Sequence, residues 1–152
     1  MTDLSRRLLL AAGTMAIASP VDARAADAPV RVMERYAAAL HAKNVEAIVA
    51  LYTENGVYIR PDFVPVVGRE ALRAAYKGVF DALTVTLAFD VHEVEISGDV
   101  AWLRSSSSGT VKVSKTGAET RDSYNQVVVF HHERGVWRIR TYLYAPAPPP
   151  RS

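Results

Sequence analysis

At Thr84 the hydrophobic period of this chain changes from three-to-four to two, and that change limits the folds open to it more than any other feature. Upstream, apolar residues recur at helical spacing in three short segments. The first holds Val30, Met33, Ala37 and Leu40 on one stripe with Tyr36 beside them, and Pro29 suits its first turn. The second opens at Asn44, a good N-cap, with Glu46 near the positive end and Val45, Ile48, Leu51 and Tyr52 on its buried side. Asn55-Gly56 stops it, and Val57-Tyr58-Ile59-Arg60 is extended because Pro61 disfavours helical geometry at Arg60. After a loop over 62–67, Gly68-Arg69-Glu70 opens a third helix, with Leu72, Tyr76, Val79, Phe80 and Leu83 facing inward.

Downstream, Val85, Leu87, Phe89 and Val91 alternate with polar or small residues, then the phase slips to Val94 and Ile96. Such a slip marks a β-bulge, which bends a sheet. Ser97-Gly98-Asp99, Ser114-Lys115-Thr116-Gly117 and Glu133-Arg134-Gly135 are turns between long strands. The four-serine run Ser105 to Ser108 reads as polar strand, since Val111 and Val113 resume the alternation. Val136 to Ala145 closes the sheet. The expected fold is α+β: three N-terminal helices packed on a strongly curved mixed or antiparallel sheet, a cone-shaped barrel enclosing a pocket.

With 152 residues and 49% hydrophobic content, the chain can bury one core, which implies one domain. A net charge of +2 without long runs of one sign argues against a nucleic-acid partner. The absence of cysteine removes disulfides, thiolate metal sites and thiol nucleophiles. Residues 1–25 read as a cleaved export signal. Ser5-Arg6-Arg7 and Leu9 fit a twin-arginine leader, the apolar run from Leu8 to Ala18 is too short for a stable membrane anchor, and Ala23-Arg24-Ala25 offers a cleavage site. A general secretory leader is the other reading. Either places the mature protein in the periplasm or outside the cell, with no stable membrane insertion after cleavage. Residues 26–145 then form the domain, and 146–152 a disordered proline-rich tail.

Met33-Glu34-Arg35-Tyr36, Val45 to Val49 with Leu51-Tyr52, Pro61, Gly68-Arg69-Glu70 and the closing Phe130 with Gly135-Val136-Trp137-Arg138-Ile139 resemble the nuclear transport factor 2 superfamily. The nearest branch is the SnoaL-like and ketosteroid isomerase-like one. That resemblance implies the cone with its pocket, and a homodimer formed through the outer face of the sheet. It also implies roles. Tyr36 matches the tyrosine that donates a hydrogen bond to an enolate in ketosteroid isomerases. The aspartate base that precedes the proline is replaced here by Arg60, which stays protonated. The protonated aspartic acid of the penultimate strand is matched by Ser123, with Asp122 beside it on the opposite face. The isomerase mechanism therefore loses its base, and Asp62 is the nearest candidate replacement.

On that alignment Tyr36, Tyr58, Arg60, Trp102, Arg104, Ser123, Asn125, Arg140, Tyr142 and Tyr144 enter the cone. Converging arginines in a dry cavity require an anion, so Arg60, with Arg104 or Arg140, is expected to hold a carboxylate, enolate or phosphate-like group. The alternative places Arg104 and Arg140 outside, paired with glutamates across strands. His131-His132 cannot chelate one ion, because adjacent strand residues face opposite sides, and no cofactor is implied. No Ser-His-Asp ordering is evident. Two readings remain: a small-molecule site acting as a cofactor-free lyase or isomerase, with Tyr36 and Asp62 as its catalytic residues, or a binding or assembly domain. In the second, Val127 and Val129, or Val111 and Val113, pack between subunits.

Overall fold

A computed structural model describes residues 20–148. Residues 1–19 of the leader expected over 1–25, and residues 149–152 of the tail, lie outside the described residues. Helix α1 runs Pro20–His41, α2 Val45–Ala50 and α3 Arg69–Ala82. The strands are β1 Tyr52–Ile59, β2 Val66–Val67, β3 Leu83–Ser97, β4 Val100–Val113, β5 Glu119–Glu133 and β6 Val136–Pro146. They form one sheet in the order β2-β1-β6-β5-β4-β3. β1 runs parallel to β6 and every other neighbouring pair is antiparallel, so the sheet is mixed and stays open.

Four local expectations are revised. Pro29 lies inside α1 rather than in its first turn, so the helix passes it without the hydrogen bond that its ring nitrogen cannot donate. Helix α2 ends at Ala50, and Tyr52 belongs to β1, where its ring packs over Gly56. The loop over 62–67 contributes the short strand β2. Pro146 is still paired, opposite Tyr124, and Ala147 donates to the Ser123 carbonyl, so order continues past Ala145.

The core forms where the helices meet the concave face of the sheet. Val32, Met33, Tyr36 and Leu40 of α1 and Leu72, Tyr76 and Phe80 of α3 pack on Leu103, Val128, Phe130 and Ile139. Asn44 caps α2 as its sequence position implies, its side-chain oxygen accepting from the Ala47 N–H at 3.0 Å. Two irregularities shape the sheet. The register of β3 against β4 shifts between Val91 and Glu93, where the alternation slips in the sequence. A second shift, between Val129 and Phe130 on β5, leaves Arg140 as an extra residue on β6. At Gly109 the backbones of β3 and β4 come so close that a Cβ would lie 2.0 Å from the Thr86 carbonyl oxygen. Only glycine admits that approach.

A candidate site lined by tyrosine

Six of the chain's seven tyrosines line a single cavity. Each arrives on a different schedule of the fold. Tyr36 comes from α1, Tyr58 from the inward phase of β1, and Tyr76 from the buried stripe of α3. Tyr124 comes from β5, and Tyr142 and Tyr144 from β6 beyond its irregularity. Val79, Leu83, Val85, Leu87 and Val111 form the facing wall, and Arg60 and Phe63 complete the lining beyond β1. The volume is about 360 Å³, in the range of small-molecule sites.

The hydroxyls are ordered. Tyr52 and Tyr76 lie 2.7 Å apart, and Tyr76 and Tyr36 lie 3.0 Å apart, so three phenols form a buried chain that ends at the cavity. Tyr36 stacks on Tyr142 with centroids 4.8 Å apart, and Tyr58 stacks on Tyr76 at 4.7 Å. Burial raises the pKa of Tyr36, Tyr52, Tyr58, Tyr76 and Tyr142, because a phenolate would lose its hydration there. All five are neutral donors at physiological pH. Tyr124 is pushed up to about 12, first by burial and then by the neighbouring Asp122 carboxylate. That carboxylate accepts from the Tyr124 hydroxyl at 3.1 Å and from Thr120 at 3.3 Å.

Among the described residues, Arg60 is the one charged residue of the lining. Its guanidinium lies 4.2 Å from the Phe63 ring centroid and 5.6 Å from that of Tyr58, and its Nε is buried with no hydrogen-bond partner among the described residues. Gln126, the remaining polar residue, is occupied. Its Oε1 accepts from Ser105 at 3.1 Å, and its Nε2 donates to Ser107 at 2.5 Å.

Of the residues expected in the interior, Tyr36, Tyr58, Arg60, Tyr142 and Tyr144 line the cavity. Trp102, Arg104, Ser123 and Asn125 do not. The phase of β4 and β5 is the reverse of the expected one, with Ala101, Leu103, Ser105 and Ser107 facing inward opposite Phe130, Val128, Gln126 and Tyr124. Trp102 instead donates to Glu95 at 2.9 Å, and Arg104 pairs with Glu93 at 3.2 Å on the open face. Arg140, set apart from Tyr142 by the irregularity in β6, donates to the Asn55 carbonyl. Asp62 is exposed in a turn with φ of 63° and does not line the cavity. Asp122, read as facing away, takes the inward phase opposite Gly109, next to Tyr124. Val111 also faces inward rather than between subunits.

Sequence reading missed Tyr76, Tyr124 and Gln126 as lining residues. The signal was present, because Tyr124-Gln126-Val128-Phe130 is the more apolar of the two β5 faces and the core takes that face. The fold also gathers a set that sequence order did not suggest. His92 Nε2 lies 2.8 Å from Ser106 Oγ, with Asp90 3.7 Å from His92 Nδ1. The second distance exceeds a hydrogen bond, Asp90 is largely exposed, and the group sits on the open face outside the cavity. No group of three potential metal ligands occurs among the described residues.

The model of the SnoaL-like domain family matches residues 33–140. Among solved structures, a ketosteroid isomerase-like protein from Erwinia carotovora atroseptica superposes with a TM-score of 0.78 at 26% identity, over 82% of this chain and 97% of that one. A candidate dehydratase from the nuclear transport factor 2-like family of Streptomyces avermitilis gives 0.70 at 13% identity, over 84% and 99%. A conserved protein from Planctomyces limnophilus gives 0.71 at 20%, over 79% and 95%. At those last two identities the likeness is one of fold. No curated protein matches the sequence.

Proposed function

This chain belongs to the SnoaL-like domain family, and on that premise we propose that its cavity binds a small, largely apolar molecule bearing a carbonyl or carboxylate group. The observation that carries the reading is the gathering of six tyrosines around one cavity whose only charge among the described residues is Arg60. Phenylalanine would fill a core equally well without the desolvation of a hydroxyl, so the phenols serve as donors. Three hydroxyls in the Tyr52-Tyr76-Tyr36 chain share two hydrogen bonds. With Tyr52 donating to Tyr76, one proton, that of Tyr36 or of Tyr76, is left at the cavity for a ligand oxygen, whereas the reverse direction strands the Tyr52 proton in the core. Arg60, with its buried Nε unmet, supplies the countercharge for an anionic group.

Among the described residues neither carboxylate nor imidazole is in the lining, which favours binding over isomerisation or elimination, since a proton transfer needs a base within reach. Calorimetric titration with naphthoate and with neutral naphthalene tests the reading. The anion should bind, the neutral hydrocarbon should bind more weakly, and Arg60→Leu should bring the two together. Equal binding of both to the native protein would reject a charged contact.

A second reading, a dimer through the open face of the sheet, is supported by the patch in which Trp102 lies opposite Val129 and Val127 opposite Leu143, with Val127 and Leu143 both exposed. Sedimentation equilibrium of the native chain and of Val127→Lys distinguishes dimer from monomer. Export through the leader in residues 1–25 belongs to the same proposal, and the N-terminus of the protein recovered from the periplasm tests it.

A further inference from the structure

Among the described glycines, only Gly78 has no local reason to be glycine. Every other one either has a positive φ or would drive a Cβ into a neighbour. Gly78 sits in the interior of α3 without a positive φ, and a Cβ there would meet nothing within 4 Å. Glycine weakens a helix interior relative to alanine, so this position gives up stability that no contact within the chain requires. Gly78 is also exposed and belongs to the lining, which puts it on the rim of the cavity. Phe63, from the loop after β1, adds apolar surface to that rim, since it lines the cavity while 61% exposed.

Resting on the binding reading above, we infer that Gly78 is a specificity-determining residue: the ligand carries an alkyl chain longer than the cavity, and the chain leaves across the bare helix surface at Gly78. Helical spacing puts Val79 and Ala82, both lining residues, on one side of Gly78. On the other side stands the Lys77–Asp81 ion pair, 2.6 Å apart. The gap is therefore one side chain wide, which fits a methylene chain and not a fused ring. Its floor is apolar, because the helix's amide groups are taken up by their own hydrogen bonds. Leu83 and Val85 continue the apolar surface inward, so a chain running outward stays off water until it reaches the ion pair. Lys77 and Asp81 satisfy each other and offer the chain end no charge to pair with. The ligand class is accordingly a long-chain carboxylate or ketone.

The test titrates the native full chain near neutral pH with octanoate, dodecanoate and tetradecanoate, each below its micelle concentration. Affinity should rise along the series, with tetradecanoate at least about tenfold tighter than octanoate. Gly78→Gln fills the gap with a polar side chain that suits a helix, and should bring those two acids to within about twofold of each other. Gly78→Ala should raise the folding equilibrium constant about fivefold, read by urea denaturation, because its Cβ strikes nothing. A flat series on the native chain, or the native ratio retained in Gly78→Gln, would overturn the chain exit and leave the binding reading standing. A Gly78→Ala less stable than the native chain would overturn it too, by giving the glycine a structural reason. Failure of all three acids in a protein that still binds naphthoate would remove the long-chain class. Failure of naphthoate as well would bring down the binding reading itself.

Discussion

Arg60 lines the cavity with its Nε buried and without a hydrogen-bond partner among the described residues, and those surroundings make a sharp prediction. A buried donor without a partner is destabilising, so Arg60→Leu should raise stability by about 1 kcal/mol while ligand affinity falls. Urea denaturation and calorimetry on the same preparation check both halves. Tyr52→Phe probes the other end of the site. It removes the first hydroxyl of the chain and should cost about 1 kcal/mol, and it should weaken binding only of ligands that use Tyr36. At this scale the sequence was legible where position was fixed by the first helix or by a proline, as for Tyr36 and Arg60. It was not legible for Trp102, Arg104, Ser123 and Asn125. Alternation shows that two faces exist, and composition has to decide which one is inside. In β4 that choice lay between a face with tryptophan and arginine and a face with alanine, leucine and serine. Serine could be buried because Gln126 satisfies Ser105 and Ser107.

Among the elements, the close approach of β4 to β3 depends on Gly109. Gly109→Ala should destabilise by about 3 kcal/mol, the upper end of overpacking costs, because the obstructing atom is backbone and cannot rotate aside. A chemical-shift map confined to β3 and β4 would locate the damage. Asn44→Ala, which removes the cap of α2, should cost about 1 kcal/mol and leave the cavity unchanged. The irregularity in β3 was legible, since its phase slip is written in consecutive residues. That in β6 was not. Arg140, Tyr142 and Tyr144 share one parity, and only the pairing with β5 and the carbonyl of Asn55 turns Arg140 away from the two tyrosines.

For the molecule as a whole, five buried tyrosines set an alkaline limit. Their pKa values are raised in the folded state, so folded chains hold protons that unfolded chains release above about pH 10. The stabilisation is complete below that pH and declines as pH rises toward the folded values. Each group contributes a loss of about 1.4 kcal/mol per pH unit. Urea midpoints should stay flat from pH 7 to about 9 and fall steeply beyond about 10, and Tyr52→Phe should reduce the slope by one group's share.

The sequence by itself determined the architecture. A change of hydrophobic period, three helix starts and three glycine turns are local features, and local sterics and solvation act on them without reference to distant residues. It also indicated that Tyr36 and Arg60 would line the cavity. Tertiary structure alone decided which face of each long strand turned inward and that Tyr52, Tyr76 and Tyr36 would join hydroxyls across three elements. Side chains on one strand can be told apart only in two sets, and the choice between the sets is made by the pairing and packing of strands far apart in the chain.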